Sequence, residues 1–262
     1  MNKELKKAIK DKNVILFIGA GVSATLNLPT WSQLISHIAS EIGYDEELYK
    51  QYGDSLQLAE YYVVNKGRIG DLRSWMDRNW TIGKDQIKSS KIYESIVSLD
   101  CPLIYTTNYD RCLETAYEAY GKKYKKIVGV DDLVGINSDT TQIIKFHGDT
   151  VSDDSIVLTE SSYFERLEFE SPLDIKLRSD MLGKSILFLG YSLTDINIRL
   201  LIYKLDCLWK NSNVEKRPLS YIFLSTPNPI LEKILEQRGI KTIVGDSLDK
   251  QESLERFLQS LL

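Results

Sequence analysis

Val14-Ile15-Leu16-Phe17-Ile18-Gly19-Ala20-Gly21-Val22-Ser23 runs five apolar residues straight into a glycine turn. Such a run has no polar face, and a strand made from it must be covered on both sides, as in a parallel sheet between helices. Outward along the chain the pattern returns. Leu103–Thr106 leads into Thr106-Thr107-Asn108-Tyr109-Asp110, Ile143–Phe146 into Phe146-His147-Gly148-Asp149, and Ile186–Leu189 into Leu189-Gly190-Tyr191-Ser192. With Tyr221–Leu224 and Thr242–Val244 these make six strand candidates.

Helical patterns fill the gaps. Thr30 caps a helix in which Gln33 completes a capping box, placing Leu34, Ile35, Ile38, Ala39 and Ile42 on one stripe. Asn108–Tyr120, Thr194–Trp209, Pro229–Arg238 and Asp249–Leu262 also read as helices. The alternation predicts an α/β fold: a Rossmann-like, doubly wound, mainly parallel sheet of about six strands. Between about 41 and 99 no strand is legible, and aromatics are dense (Tyr44, Tyr49, Tyr52, Tyr61, Tyr62, Trp75, Trp80). That stretch reads as a helical insertion above the sheet edge, its aromatics serving as core or as a subunit contact. The whole of 1–262 is expected to be one domain carrying this insertion.

Composition excludes several classes. The net charge is −4, and the one basic cluster, Lys122-Lys123-Lys125-Lys126, reads as a solvated loop, so direct nucleic-acid binding is not expected. Cys101, Cys112 and Cys207 form no CxxC pair, which argues against a disulfide framework or a cysteine zinc site; no metal is expected. Neither a signal segment nor an apolar run of membrane-spanning length is visible, which points to a cytoplasmic protein without a membrane contact.

Ligands of open α/β sheets bind beyond the carboxyl ends of the strands, where all four signatures fall. Gly19-Ala20-Gly21 allows a tight turn and close approach of exposed N–H groups to a phosphate. The dehydrogenase pattern is absent, since Ala24 stands at its third glycine position. Asn108 offers a donor and an acceptor to orient a water or carboxamide, and Asn108 and Asp110 also suit a helix cap. His147, one of two histidines, ends a strand and suits proton acceptance from a ribose hydroxyl or water through a near-neutral pKa. Gly190 permits close approach and Ser192 can bond a phosphate, while Ser192, Thr194 or Asp195 can cap the next helix.

In this order the four signatures resemble the sirtuin superfamily, and in particular the sirtuin-like NAD-hydrolase domains of bacterial antiphage defence of the Thoeris effector type. Leu28-Pro29-Thr30-Trp31 and Val157-Leu158-Thr159 before a helix containing Tyr163 add to the likeness, which spans roughly Val14 to Asp206. The resemblance implies that Asn108 and His147 are the catalytic pair and that Asp110 helps hold the nicotinamide carboxamide. Ala20, Gly21, Ser23, Gly190 and Ser192 match cofactor-contacting turns, with Gly19 and Thr107 counted beside them. NAD is then the substrate, cleaved by water into nicotinamide and ADP-ribose in an NAD-depleting abortive-infection response. Deacylating sirtuins differ in carrying a four-cysteine zinc module, and in usually having glutamine where this chain has Thr107. The Thoeris effector has a second, sensing domain; with the chain ending at Leu262, control is expected from a partner, from assembly or from a region not included. A homo-oligomer, or an ATPase, nuclease or other defence partner, fits that expectation. The alternatives are a non-catalytic NAD- or ADP-ribose-binding module, a partner-assembly subunit, or an NAD-dependent protein deacylase.

Overall fold

The apolar run Val14–Ile18 forms β1, with all five side chains buried. The other strands are β2 (Leu103–Thr106), β3 (Tyr124–Ile127), β4 (Thr141–Lys145), β5 (Ser185–Leu189), β6 (Ser220–Leu224) and β7 (Ile240–Val244). The computed structural model describes residues 2–137, 139–151, 155–166, 170–191, 193, 195–210 and 217–262. Among them the strands pair in the order β3-β4-β2-β1-β5-β6-β7, every pairing parallel.

The helices are α1 (Asn2–Lys10), α2 (Ala20–Ser23) and α3 (Trp31–Glu41), followed by α4 (Glu46–Tyr49), α5 (Ser55–Lys66), α6 (Gly70–Asn79), α7 (Lys84–Lys88) and α8 (Lys91–Ser98). Further on lie α9 (Cys112–Ala119), α10 (Glu160–Arg166), α11 (Pro172–Gly183), α12 (Ile196–Lys210), α13 (Pro229–Gln237) and α14 (Lys250–Gln259). Strand alternation sends Leu16 and Ile18 into a core shared with α1, α3, α8, α9 and α14. Ile15 and Phe17 enter a second core beneath α11, α12 and α13. Burial on both faces is why β1 needs no polar residue.

The sheet has one strand more than the sequence predicts. Tyr124-Lys125-Lys126-Ile127 reads as a loop because its lysines break the apolar pattern, yet it pairs with β4 as the edge strand β3. There Lys126 meets Asp149 at 2.5 Å, and Lys125 Nζ donates to the Val134 carbonyl at 2.7 Å. Lysines on an edge also discourage pairing with a foreign sheet. The second correction is local. The helix expected from Asn108 begins only at Cys112, with Arg111 at its N-cap; one residue further out, the Asp110 side chain accepts the Cys112 N–H at 3.0 Å and ties the loop to the first turn. Residues 107–110 are thereby kept as a loop at the sheet edge.

Thr30 and Gln33 form the capping box that starts α3. Helices α4 to α8 fill the stretch between α3 and β2. Their aromatics divide between roles: Tyr49 and Tyr62 are buried, Tyr52 is exposed, and Trp80 stacks on Tyr109 at 5.7 Å. These helices reach over the exit of β4. Arg73 donates to the Thr150 carbonyl at 2.9 Å, Thr150 bonds Asp77 at 3.2 Å, and Glu60 accepts the Ser161 N–H at 2.9 Å.

Candidate functional site

β4, β2, β1 and β5 are consecutive neighbours in a parallel sheet, so the four turns that follow them line one edge. The chain fills positions on one side of β1 with β2, β3 and β4 before crossing to β5 on the other, which makes β1/β5 the switch point of the fold.

At the exit of β2 a run of short hydrogen bonds holds the loop. Thr106 Oγ1 donates to the Ile18 carbonyl at 2.8 Å and accepts the Asn108 N–H at 3.0 Å. Asn108 Nδ2 donates to Ser23 Oγ at 3.1 Å, and Ser23 donates to Asp110 Oδ2 at 2.7 Å. The Tyr93 hydroxyl stands 3.3 Å from the same Ser23 oxygen. Ser23 thus meets one acceptor and up to two donors, its whole capacity. Below, the buried Lys145 Nζ donates to the Asp110 carbonyl and lies 3.6 Å from Glu114 Oε1. Burial pushes the Glu114 carboxyl up and Lys145 opposes it.

At the exits of β4 and β5 the spacing is looser. His147 is 2% exposed, with Nε2 3.4 Å from Asp195 Oδ2 and Nδ1 3.3 Å from the Tyr163 hydroxyl. Tyr191 OH lies 3.4 Å from both Asp195 and Thr107 Oγ1, so Thr107, Tyr191 and Asp195 form the path from the Asn108 loop to His147. Arg166 holds the Phe146 carbonyl at 2.8 Å and lies over the Phe146 ring at 4.1 Å. The sequence suggests a near-neutral imidazole. Instead, burial and then Arg166 push the His147 pKa down to about 3, because neither a dry site nor a nearby cation welcomes the imidazolium.

The glycine turns do something other than the sequence predicts. Gly19 N–H donates to the Leu189 carbonyl and Gly21 N–H to the Gly190 carbonyl, both at 2.9 Å. These two donors are committed to the neighbouring turn rather than exposed to a phosphate. A Cβ on Gly19 would lie 2.4 Å from Tyr191 Cδ2, and one on Gly190, whose φ is +60°, would lie 2.4 Å from Val22 N. The glycines therefore let two turns interlock. Ala20 and Gly21 are exposed beside them. Ser192 and Thr194 lie outside the described residues.

Asp195 entered the sequence reading only as a cap, a role it fills by accepting the Asn197 N–H at 2.9 Å. Its facing His147 depends on tertiary packing. Lys145 was visible as a lone cation inside the apolar run Ile143–Phe146, a signal that a carboxylate must be buried with it. Tyr93 and Arg166 carry no comparable signal. Among the described residues no group of His, Cys, Asp and Glu is placed to hold a metal ion, and no helix is long and apolar enough to cross a membrane.

Comparison with known proteins gives this edge a context. NAD(+) hydrolase ThsA of Enterococcus faecium is 32% identical over 200 residues, covering 75% of this chain and 40% of that protein. ThsA of Bacillus cereus (strain MSX-D12) is 28% identical over 99% of this chain and 56% of its own length. Defense-associated sirtuin 2 of Bacillus subtilis is 25% identical over 97% of this chain and 26% of its own length. This chain therefore spans only about half, or less, of these relatives. Among solved structures, a Sir2 homologue in complex with NAD superposes with a TM-score of 0.53 at 13% identity, covering 100% of this chain and 94% of that one, which shows a shared fold. The SIR2-like domain family matches residues 102–243, more than half of the sequence and three of its four signatures, and the chain belongs to that family.

Proposed function

We propose that the chain hydrolyses the nicotinamide–ribose bond of NAD, giving nicotinamide and ADP-ribose, as the enzymatic part of an antiphage defence effector. What carries this reading is the match, over 75% and 99% of the chain, to relatives named NAD(+) hydrolase. We further read 1–262 as one sirtuin-like domain with residues 41–99 inserted, acting in the cytoplasm. Assembly with copies of itself or with a defence partner would provide its control.

The site chemistry suits this bond. The pyridinium of NAD leaves as neutral nicotinamide, so departure needs no general acid, unlike ordinary glycoside hydrolysis with its two carboxylates. Water that bonds to the ribosyl cation becomes strongly acidic, so a weak base suffices to take its proton. A neutral His147 therefore serves as a hydrogen-bond partner of the ribose, with Asn108 orienting the sugar or the water. Asp110, fixed by Ser23, is the candidate partner of the carboxamide; Ala20, Gly21, Ser23, Thr107 and Gly190 line the proposed path of the cofactor.

The burial of His147 and the commitment of the Gly19 and Gly21 N–H groups favour a second reading, in which the chain binds NAD at rest and turns over only when assembled. Chromatography of NAD incubated with the protein over a range of concentrations separates the two. Nicotinamide release that Asn108→Ala or His147→Ala lowers by about 10²–10⁴-fold supports catalysis by this site. Near-normal rates in both variants overturn the residue assignment. Nicotinamide release that appears only at high protein concentration supports the assembly-dependent reading, and calorimetric NAD binding without nicotinamide at any concentration overturns both in favour of a non-catalytic NAD-binding module.

A further inference from the structure

The His147 ring is flanked at both nitrogens by oxygens of other elements. Tyr163 of α10 faces Nδ1 at 3.3 Å, and Asp195, at the amino end of α12, faces Nε2 at 3.4 Å. Nε2 is buried without a hydrogen bond of ordinary length, so the place of the ring proton depends on which arrangement leaves least unmatched. With the proton on Nε2, the N–H has the carboxylate as its nearest acceptor, 3.4 Å away and outside good hydrogen-bond geometry, and the Nδ1 lone pair accepts the Tyr163 hydroxyl. With the proton on Nδ1, the Nε2 lone pair opposes Oδ2, which is repulsive unless Asp195 is itself protonated.

The donors around Asp195 favour the anion, although burial outweighs them and leaves the carboxyl pKa raised. Oδ1 accepts the N–H groups of Asn197 and Ile198 at 2.9 and 3.3 Å, and Oδ2 accepts from Tyr191 at 3.4 Å. The carboxylate also stands at the positive end of a helix of 15 residues. Burial raises the carboxyl pKa, while these donors and Arg166 oppose the rise.

We propose that Asp195 is a positioning residue that fixes His147 as its neutral Nε2–H tautomer, with Tyr163 completing the bracket at Nδ1. A consequence follows for substrate. A ribose hydroxyl can replace the Tyr163 hydroxyl at Nδ1 without moving a proton, whereas nothing but an acceptor can replace Asp195. The sugar therefore docks on the Tyr163 side of the ring. The proposal rests on the reading of His147 as a working residue of an NAD cleft, yet it can be measured without turnover.

The chain has two histidines, so His37→Gln leaves a single imidazole for nitrogen-15 NMR. At neutral pH the expected spectrum is one neutral tautomer protonated on Nε2, kept in Tyr163→Phe. In Asp195→Asn the amide can present either a donor or an acceptor, so the two tautomers mix. There kcat for NAD falls by roughly 10²-fold or more with KM little changed. An Nδ1–H spectrum of the unaltered site overturns the proposal, as does an Asp195→Asn protein with the same tautomer and kcat. If Asp195→Asn fails to fold by circular dichroism, the spectrum of the His37→Gln protein decides alone. If no NAD is consumed, the tautomer measurement still decides, so failure of the enzymatic reading and failure of this one remain separate.

Discussion

The two halves of the site are built to different tolerances. Around Asn108 the hydrogen bonds among Thr106, Ile18, Asn108, Ser23 and Asp110 run from 2.7 to 3.1 Å, with the Tyr93 hydroxyl the one longer contact at 3.3 Å. Around His147 the contacts of Tyr163, Asp195, Tyr191 and Thr107 sit at 3.3 to 3.4 Å, at or beyond the limit of a good hydrogen bond. Both lie at the ends of buried parallel strands, so the difference is not one of scaffold. The Asn108 side is preorganised, while the His147 side holds a neutral ring that closer partners, such as sugar hydroxyls, can tighten. If this edge takes NAD as proposed, one wall is preset and the substrate completes the other.

The largest effect that could break this contrast is catalytic. Asn108→Ala and His147→Ala are each expected to raise the barrier for NAD hydrolysis by about 3–5 kcal/mol. Effects on folding should differ between the two halves. Asn108→Ala removes a donor that Ser23 uses, so its unfolding midpoint in urea should fall; the buried His147 ring, which packs on Phe146 and Tyr163, is compared as His147→Gln, which keeps more of the buried volume and gives up mainly long polar contacts. Equal destabilisation would mean that the loose geometry of the His147 side has no energetic meaning.

A second test removes the floor under the tight half. Lys145→Met leaves Glu114 buried without its cation and frees the Asp110 carbonyl. Losing one member of a buried pair typically costs about 3–5 kcal/mol. The double variant Lys145→Met/Glu114→Gln should recover much of that loss in urea denaturation. If the single change costs less than about 1 kcal/mol, the pair does not anchor the loop.

The contrast also explains what could be seen from sequence alone. Strands such as Val14–Ile18 and Leu103–Thr106 are legible because burial on both faces demands unbroken apolar runs, and their bounds match those observed. β3 escaped because an edge strand tolerates lysine, so its pattern imitates a loop. In the site, Asn108, Ser23 and Asp110 stand in short motifs where type and spacing both inform. Asp195 and Tyr163 meet His147 only through the packing of α10 and α12, which no local pattern encodes. The Gly19 and Gly190 turns were legible as close approaches, but not as approaches to each other.

The loose half should also be the acid-sensitive one. The His147 pKa lies at about 3 in the folded chain, below its ordinary 6.5, so the unfolded state binds a proton first as pH falls. Stability from this group is full above about 6.5 and is lost toward pH 3, at up to about 1.4 kcal/mol per pH unit. Asp195, whose pKa is raised, works in the opposite sense and offsets part of that slope. Urea unfolding at several pH values should give a shallower dependence for His147→Gln than for the unaltered protein. Parallel curves would show that His147 takes up its proton over the same pH range in the folded and unfolded states.

The smallest effect offers the sharpest comparison, because it uses two adjacent residues. Thr106 and Thr107 share a backbone and differ in the half they serve. The Thr106 hydroxyl is buried between the Ile18 carbonyl and the Asn108 N–H, so Thr106→Val leaves both unmatched. A loss of about 1–3 kcal/mol in unfolding free energy is expected. The Thr107 hydroxyl reaches Tyr191 only at 3.4 Å, and Thr107→Val should cost under about 0.5 kcal/mol. On NAD turnover the order can reverse, since Thr107 faces the path between the two halves while Thr106 lies beneath it. Equal stability losses from the pair would erase the distinction between a preset wall and a yielding one, since valine nearly matches threonine in shape at both positions.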